Sequence, residues 1–175
     1  KVWDLKSEIS NLKSEISDLK SQISDLKSIH TLKGHSDFVY TVAFTPDGKR
    51  LISSSKDRAI KVYNAETWES ERTLSGHNED VLALAVSPDS ARVISAGKEP
   101  QLRWWKLEDG QVIRSVGGHS GTVNEIVISK DGKRIASVGQ DKNVRIWDPV
   151  EGKVLRSITG ATEWLYSVAL SPDAK

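Results

Sequence analysis

The sequence predicts an all-β fold of repeated four-stranded antiparallel blades, preceded by an α-helical segment. Two periods along the 175 residues support this prediction. Residues 1–28 repeat every seven residues, whereas the chain from residue 30 onward repeats every 42 residues. A fixed period of the longer size indicates a repeat architecture, in which each unit packs against its neighbours.

The seven-residue period places aliphatic residues at alternating spacings of four and three, which is the seam of a coiled-coil helix. The members of this seam are Val2, Leu5, Ile9, Leu12, Ile16, Leu19, Ile23 and Leu26. β-Branched residues at a and Leu at d favour two parallel helices, so we expect a parallel homodimer. A helix that links or packs on other parts of the protein, and a disordered segment, are the alternatives.

Each 42-residue unit carries a Gly-His pair followed by apolar stretches with turn signals between them. The first four stretches after Gly34-His35 are Val39 to Phe44, Arg50 to Ser55, Ile60 to Asn64 and Glu71 to Leu74, the last of which precedes the next Gly-His pair. Pro, Asp and Gly at residues 46–48 are turn formers, and equivalent turns recur in the later units. Four short strands joined by tight turns predict one antiparallel blade per unit.

These repeats resemble the WD-repeat β-propeller family over about residues 30–175. The resemblance rests on the Gly-His pairs, the Ser-Pro-Asp-type turns, the acid after the second strand and the Trp147-Asp148 dipeptide. The Gly-His pairs, the turns and the acids keep their register over three units, and the aromatic position of the Trp-Asp pair holds Tyr63, Trp105 and Trp147. The resemblance implies propeller blades around a ring and a role in binding protein partners.

The period divides the chain into a heptad segment over residues 1–28 and blades over residues 29–70, 71–112, 113–154 and, in part, 155–175. This gives about 3.5 blades in an incomplete ring, the extra half being the stretch before Gly34 and the stretch Leu165 to Leu170. An open stack leaves unpaired edges, so we expect a fragment of a longer protein. A second interpretation of residues 1–5 makes them the third strand of a blade, because Val2-Trp3-Asp4 resembles the stretch Val144 to Pro149.

The resemblance also implies a buried structural tetrad of His, Ser, an acid and an aromatic residue in each blade. The matching residues are His35, Ser53, Asp57 and Tyr63; His77, Ser95, Glu99 and Trp105; and His119, Ser137, Asp141 and Trp147. Ser, His and an acid also form catalytic triads. Because the trio recurs three times at one spacing, we interpret it as structural. Glu99 replaces Asp, so we expect the second blade to be less rigid.

In the resembled family, partners bind the face formed by the loop after Gly-His and the turn between the second and third strands. The matching residues are Phe38, Tyr40, Lys56, Asp80, Leu82, Lys98, Thr122, Asn124, Gln140, Trp164 and Tyr166. Aromatic residues beside Lys are typical of interaction hot spots. The alternative is that Phe38 and Trp164 only cap the blade tops.

Alternation along the third strands makes two further predictions. Lys61, Arg103 and Arg145 occupy one position of the period, and we expect all three to face solvent. Trp104 and Trp105 are adjacent, so they point to opposite faces of their sheet. If Trp105 belongs to a tetrad, Trp104 faces the neighbouring blade.

Composition argues against several other functions. The 25 Lys+Arg and 24 Asp+Glu give a net charge of +1, which offers no basic field for nucleic acid. The chain has no Cys, so disulfides and Cys-ligated metals are excluded. Phosphate-binding loops, paired carboxylates and His clusters are not visible, so we expect no enzyme activity and no cofactor. Without a membrane span or secretory signal, we expect no membrane partner and a cytoplasmic location.

We therefore expect a non-enzymatic protein–protein interaction scaffold or sensor propeller. The alternative is a structural or engineered self-assembling module, in which the coiled coil drives oligomerisation of half-propellers.

Overall fold

A computed structural model of the chain describes residues 13–17, 28 and 30–171. The chain divides into two compact units, Lys1–Lys33 and Gly34–Lys175. In the first unit, residues 13–17 are helical, and Ile16 of the predicted heptad seam is 49% exposed. The coiled coil stays a prediction, because the other seam residues lie outside the described ones: Val2, Leu5, Ile9, Leu12, Leu19, Ile23 and Leu26. Among the described residues, no helix is long and apolar enough to cross a membrane.

The described residues of the second unit form 12 strands in three four-stranded antiparallel sheets. The first sheet comprises β1 (Val39–Phe44), β2 (Arg50–Ser55), β3 (Ile60–Asn64) and β4 (Ser70–Leu74). The second comprises β5 (Val81–Val86), β6 (Arg92–Gly97), β7 (Gln101–Lys106) and β8 (Val112–Gly117). The third comprises β9 (Val123–Ile128), β10 (Ile135–Gly139), β11 (Val144–Trp147) and β12 (Val154–Ile158). Strands pair in chain order within each sheet, which confirms the predicted four-stranded blades.

Each sheet is offset by one strand from the 42-residue unit of the sequence. β4 pairs with β3, although residue 70 ends the first predicted unit. β8 pairs with β7 in the same way, across the predicted boundary at residue 112. Each sheet therefore takes its fourth strand from the next sequence unit, so that consecutive units share a sheet.

The described residues form three blades rather than 3.5. The sequence predicts two further strands, one before Gly34 and one over Leu165 to Leu170, but the described residues of these two stretches contain no strand. A strand is defined by hydrogen bonds to a neighbour, and neither range has a neighbouring strand among residues 30–171. Residues 159–171 instead lie along the third sheet, where the Leu165 N–H donates to the Gly139 carbonyl at 3.1 Å.

Two apolar clusters fill the spaces between neighbouring sheets. The cluster between the first two sheets contains Ile52, Ile60, Val62, Leu74, Val81, Val93, Trp105 and Leu107. The cluster between the second and third sheets contains Ala83, Ala85, Ile94, Ala96, Leu102, Trp104, Val123, Ile126, Ile135 and Trp147. The adjacent Trp104 and Trp105 thus serve different clusters, which confirms the prediction from alternation.

Gly118 allows the Trp147 ring to pack directly on the backbone. A Cβ atom at Gly118 would lie 2.3 Å from Trp147 Cη2 and 3.0 Å from Cζ3. Trp147 is fully buried, so its ring has no free space into which it could move. The neighbouring Gly117 is different, because a Cβ atom there would meet nothing within 4 Å.

We predict that Gly118→Ala lowers the free energy of unfolding by about 1–3 kcal/mol, the usual cost of overpacking a buried site. Gly117→Ala is the matched control, and it should change the free energy by less than about 0.5 kcal/mol. Urea denaturation measures both variants. Equal effects of the two substitutions would contradict the packing of Trp147 on Gly118.

Candidate functional site

The tetrad residues predicted for the second sheet lie in hydrogen-bonding contact. His77 Nε2 is 2.7 Å from Ser95 Oγ, and His77 Nδ1 is 3.1 Å from Glu99 Oε1. The Trp105 indole N–H donates to Ser95 Oγ at 2.7 Å. Ser95 therefore joins the third-strand indole to the imidazole that precedes the first strand.

The third sheet repeats this geometry. His119 Nε2 is 2.6 Å from Ser137 Oγ, and His119 Nδ1 is 2.9 Å from Asp141 Oδ1. The Trp147 indole N–H donates to Ser137 Oγ at 2.7 Å. The two networks match in connectivity although their acids differ in length.

In the first sheet, Tyr63 takes the place of Trp. His35 Nε2 is 2.8 Å from Ser53 Oγ, and His35 Nδ1 is 2.8 Å from Asp57 Oδ2. Tyr63 is only 3% exposed. Burial raises the pKa of its hydroxyl, and the Ser53 hydroxyl acts in the opposite direction. The structure thus brings together the residues of all three predicted tetrads.

The donors and acceptors fix where the protons lie in the second tetrad. A carboxylate can only accept, so His77 Nδ1 carries a proton and donates it to Glu99. His77 Nε2 then accepts from the Ser95 hydroxyl, whose oxygen accepts from the indole. In the third tetrad, His119 Nδ1 faces both Asp141 and the Arg145 guanidinium, which lies 2.8 Å away. Burial lowers the pKa of His77 and of His119, which keeps both rings neutral at pH 7.

The serine of each tetrad is placed like a catalytic nucleophile but is not accessible to a substrate. Ser95 and Ser137 are 0% exposed, and Ser53 is 4% exposed. In the second and third sheets the serine oxygen already accepts the indole hydrogen bond. Such buried, mutually satisfied networks make a structure rigid.

The prediction that the third-strand arginines face solvent is wrong. Arg103 donates to Glu99 Oε2 at 2.7 Å, and Arg145 donates to Asp141 Oδ2 at 2.5 Å. Each arginine side chain is only 13% exposed. Although burial raises the pKa of Asp141, hydrogen bonds from His119 and Arg145 hold it well below its usual range.

Arginine is long enough to turn back from its strand onto the acid four residues earlier. The spacing of acid and Arg at i, i+4 across the turn was the available sequence signal. In the first sheet Lys61 occupies the same position and donates instead to Thr73 Oγ1 at 3.2 Å.

The turn between the second and third strands differs in the second sheet. Arg58 and Lys142 have positive φ angles of 69° and 62°. Their N–H groups each donate to the carbonyl three residues earlier at 3.2 Å. Pro100 stands at this position in the second sheet, and proline has a φ near −65° and no N–H. This turn must therefore follow a different path.

Glu99, which precedes this proline, still makes the contacts of the shorter acids. It lies within hydrogen-bonding distance of four donors, which are His77 Nδ1 and the N–H groups of Asn78, Glu79 and Arg103. Asp141 likewise has four donors in the third sheet. We infer that the extra methylene of Glu99 compensates for the altered turn.

The predicted binding face carries four exposed aromatic side chains. These are Phe38 at 70%, Tyr40 at 43%, Trp164 at 49% and Tyr166 at 68% exposure. The aromatic residues of the third strands β3, β7 and β11 are at most 3% exposed: Tyr63, Trp104, Trp105 and Trp147. The face predicted to bind a partner therefore presents apolar rings to solvent.

Charged residues hold two of these rings. Lys56 Nζ lies 5.3 Å from the centre of the Phe38 ring. The Tyr40 hydroxyl donates to Asp80 Oδ2 at 2.9 Å, and Lys98 Nζ is 2.8 Å from the same oxygen. Asp80 is only 7% exposed, so it positions Tyr40 and Lys98 and offers little surface of its own.

The remaining predicted residues of the face lie between these rings. Four residues that follow one another at intervals of 42 line one pocket of about 170 Å³: Tyr40, Leu82, Asn124 and Tyr166. Asn124 Nδ2 donates to the Leu165 carbonyl at 2.7 Å. Thr122 and Gln140 are partly buried and are joined by a backbone hydrogen bond of 2.9 Å. The structure thus brings together residues from all four sequence units.

Glu99 and Pro100 should be energetically coupled. We predict that Glu99→Asp destabilises the chain, because the shortened carboxylate cannot reach its donors from the proline turn. The same change in a Pro100→Arg background should cost less, since Asp-Arg is the dipeptide of the first sheet. A double-mutant cycle in urea should give a coupling of about 0.5–3 kcal/mol. Additive effects of the two substitutions would show that Glu99 does not compensate for the turn at Pro100.

Comparisons with known proteins agree with this geometry. Residues 26–64, 68–106 and 110–148 match the family model described as WD domain, G-beta repeat. Over 43 residues the chain is 42% identical to the transcriptional repressor rco-1 of Neurospora crassa, covering 25% of this chain and 7% of that protein. Over 41 residues it is 44% identical to the transcriptional repressor tup12 of Schizosaccharomyces pombe, covering 23% and 7%.

Solved structures show the same fold. The structure of U3-55K superposes with a TM-score of 0.74 at 21% identity, covering 77% of this chain and 43% of that chain. The RRP9 WD40 repeats give a TM-score of 0.74 at 21% identity, covering 77% and 42%. This chain therefore spans less than half the length of these two structures and a small part of the two repressors. Because the family model matches more than half of its residues, the chain belongs to the WD domain, G-beta repeat family.

Proposed function

We propose that this chain is a non-enzymatic scaffold that binds a protein partner through the face formed by its Gly-His loops. One observation carries the proposal. Among the described residues, five aromatic side chains are strongly exposed: Phe38, Tyr40, Phe44, Trp164 and Tyr166. All except Phe44 lie on this face.

Exposed aromatic rings are the side chains that most often dominate binding energy at protein interfaces. The face also holds one of its rings in place before a partner arrives, because Asp80 accepts the Tyr40 hydroxyl hydrogen bond. A ring that is already fixed loses less conformational entropy on binding. Both features support a protein-binding surface.

The charges of the face favour a protein over a nucleic acid. Lys56 pairs with Asp37 at 3.3 Å, and Lys98 pairs with Asp80 at 2.8 Å. Phosphate binding needs Lys and Arg in excess of nearby acids. With its two central lysines neutralised, this face offers apolar contact and a polar rim, which suit a protein segment.

The curated relatives suggest a more specific version of the proposal. Both are named as transcriptional repressors, so the chain would serve as a protein-binding part of such an assembly. The heptad segment adds a second element, because a parallel homodimer would present two faces and raise avidity. A cytoplasmic location stays a prediction from the sequence.

A displayed peptide library tests the face. Peptides are first selected for binding to the wild-type chain, and the selected peptides are then used as ligands. We predict that these peptides bind the double variant Phe38→Ala, Trp164→Ala at least about tenfold more weakly than the wild type, the loss expected for hot-spot residues. The matched control is Val112→Ala, Ile113→Ala. These two residues are 43% and 45% exposed on β8, away from the face.

Urea unfolding of both variants should give midpoints close to the wild-type value, since all four side chains are exposed. Equal binding by the face variant and the wild type would show that Phe38 and Trp164 only cap the blades. A larger loss in the β8 control than in the face variant would move the binding site to the outer strands.

A further inference from the structure

Both spaces between neighbouring sheets are filled in the same way, by an indole from the third strand of the following sheet. Trp105 belongs to the cluster with four residues of the first sheet: Ile52, Ile60, Val62 and Leu74. Trp147 packs with the residues at the same four positions of the second sheet: Ile94, Leu102, Trp104 and Val116. These four positions define an indole site on each sheet.

The indole site of the third sheet is open. Its four residues are Ala136, Val144, Ile146 and Ile158, and all of them line an open groove of about 590 Å³. Ile158 is 47% exposed, whereas Leu74 at the same position of the first sheet is 1% exposed. The groove is thus the unfilled counterpart of the two internal interfaces.

The glycine that contacts each indole is also free at this site. A Cβ atom on Gly76 would meet Trp105 Cη2 at 3.3 Å, and one on Gly118 would meet Trp147 Cη2 at 2.3 Å. Gly160 occupies the next position of the period, and a Cβ atom there would meet nothing within 4 Å.

An arginine contact repeats at the same interfaces. Arg72 donates to the Glu108 carbonyl at 2.6 Å, and Arg114 donates to the Glu151 carbonyl. Both carbonyls belong to the turn after the third strand of the next sheet. Arg156, the next member of this series, lines the open groove. The groove therefore offers an apolar site for an indole and a donor for the carbonyl of the turn that follows it.

The chain itself contains a segment with these properties, at Lys1–Leu5. Its Trp3-Asp4 pair corresponds to Trp147-Asp148, and Val2 precedes the indole as Ile146 does. Asp148 Oδ1 accepts the N–H groups of the two residues that form its turn, both at 2.7 Å. An Asp after the indole is thus the residue that shapes such a turn. Lys1–Leu5 lies outside the described residues.

We propose that the Lys1–Leu5 segment of a second copy of this chain binds in the groove, with Trp3 packed on Gly160. A helix over residues 5–28, as the heptads predict, would be about 36 Å long. A helix of this length between Leu5 and Ser28 favours binding to the groove of a second copy. Because unlike surfaces of the two copies meet, the association is head to tail.

Two complementary variants of the full chain test this association by sedimentation velocity. Trp3→Ala removes the indole and keeps the groove, whereas Ile158→Glu places a charge in the groove and keeps the indole. We expect each variant alone to associate at least tenfold more weakly than the wild type. A one-to-one mixture should form a complex larger than either variant alone, because one intact contact remains in it.

Val42→Glu is the matched control. Val42 is 59% exposed on β1, on a sheet face that does not line the groove. This variant should associate like the wild type, and circular dichroism should show the same strand content for all three variants.

Undiminished association of Trp3→Ala would overturn the proposal, since the contact would then lie in the heptads or elsewhere. A mixture that sediments no faster than its components would also overturn it. The proposal would also be overturned if fluorescence quenching showed that Trp3 is buried in a wild-type chain that does not associate. The groove of the same chain would then hold the segment.

Discussion

A buried chain of hydrogen bonds, from a third-strand Trp or Tyr through serine and imidazole to an acid, holds each four-stranded sheet together. In the second sheet it joins Trp105 on β7, Ser95 on β6, His77 before β5 and Glu99 in the β6–β7 turn. Every polar atom along this path has a partner, which is the condition under which a buried network stabilises. The loop that begins at His35 carries Phe38, so this ring of the proposed binding face depends on the network of the first sheet for its position.

Much of this arrangement could be predicted because the 42-residue period is strict. Residues at equal positions experience equal surroundings, so strands, turns and tetrads recur at fixed offsets. The separation of Trp104 from Trp105 followed from alternation alone, since neighbouring side chains of a strand point to opposite faces. The aromatic residues of the predicted binding face were located from their positions in the 42-residue period.

Other features depend on contacts that a period does not encode. The alternation of side chains along a strand predicted that Arg103 and Arg145 face solvent. A guanidinium on a long side chain can turn back to an acid, and a strand pattern does not show this contact. Asp80 was expected on the binding surface, and its burial comes from Tyr40 of the neighbouring sheet. The apolar stretch Leu165 to Leu170 has strand character, yet a strand forms only beside a partner.

The direction of the hydrogen bonds in the tetrads is the central physical claim, and histidine ¹⁵N NMR tests it most directly. For His77 the account predicts a neutral ring at pH 7, with the proton on Nδ1 and an unprotonated Nε2. The rings of His77 and His119 should both stay neutral below the ordinary histidine pKa, because burial lowers their pKa values. A proton on Nε2, or a doubly protonated ring at pH 7, would contradict the account.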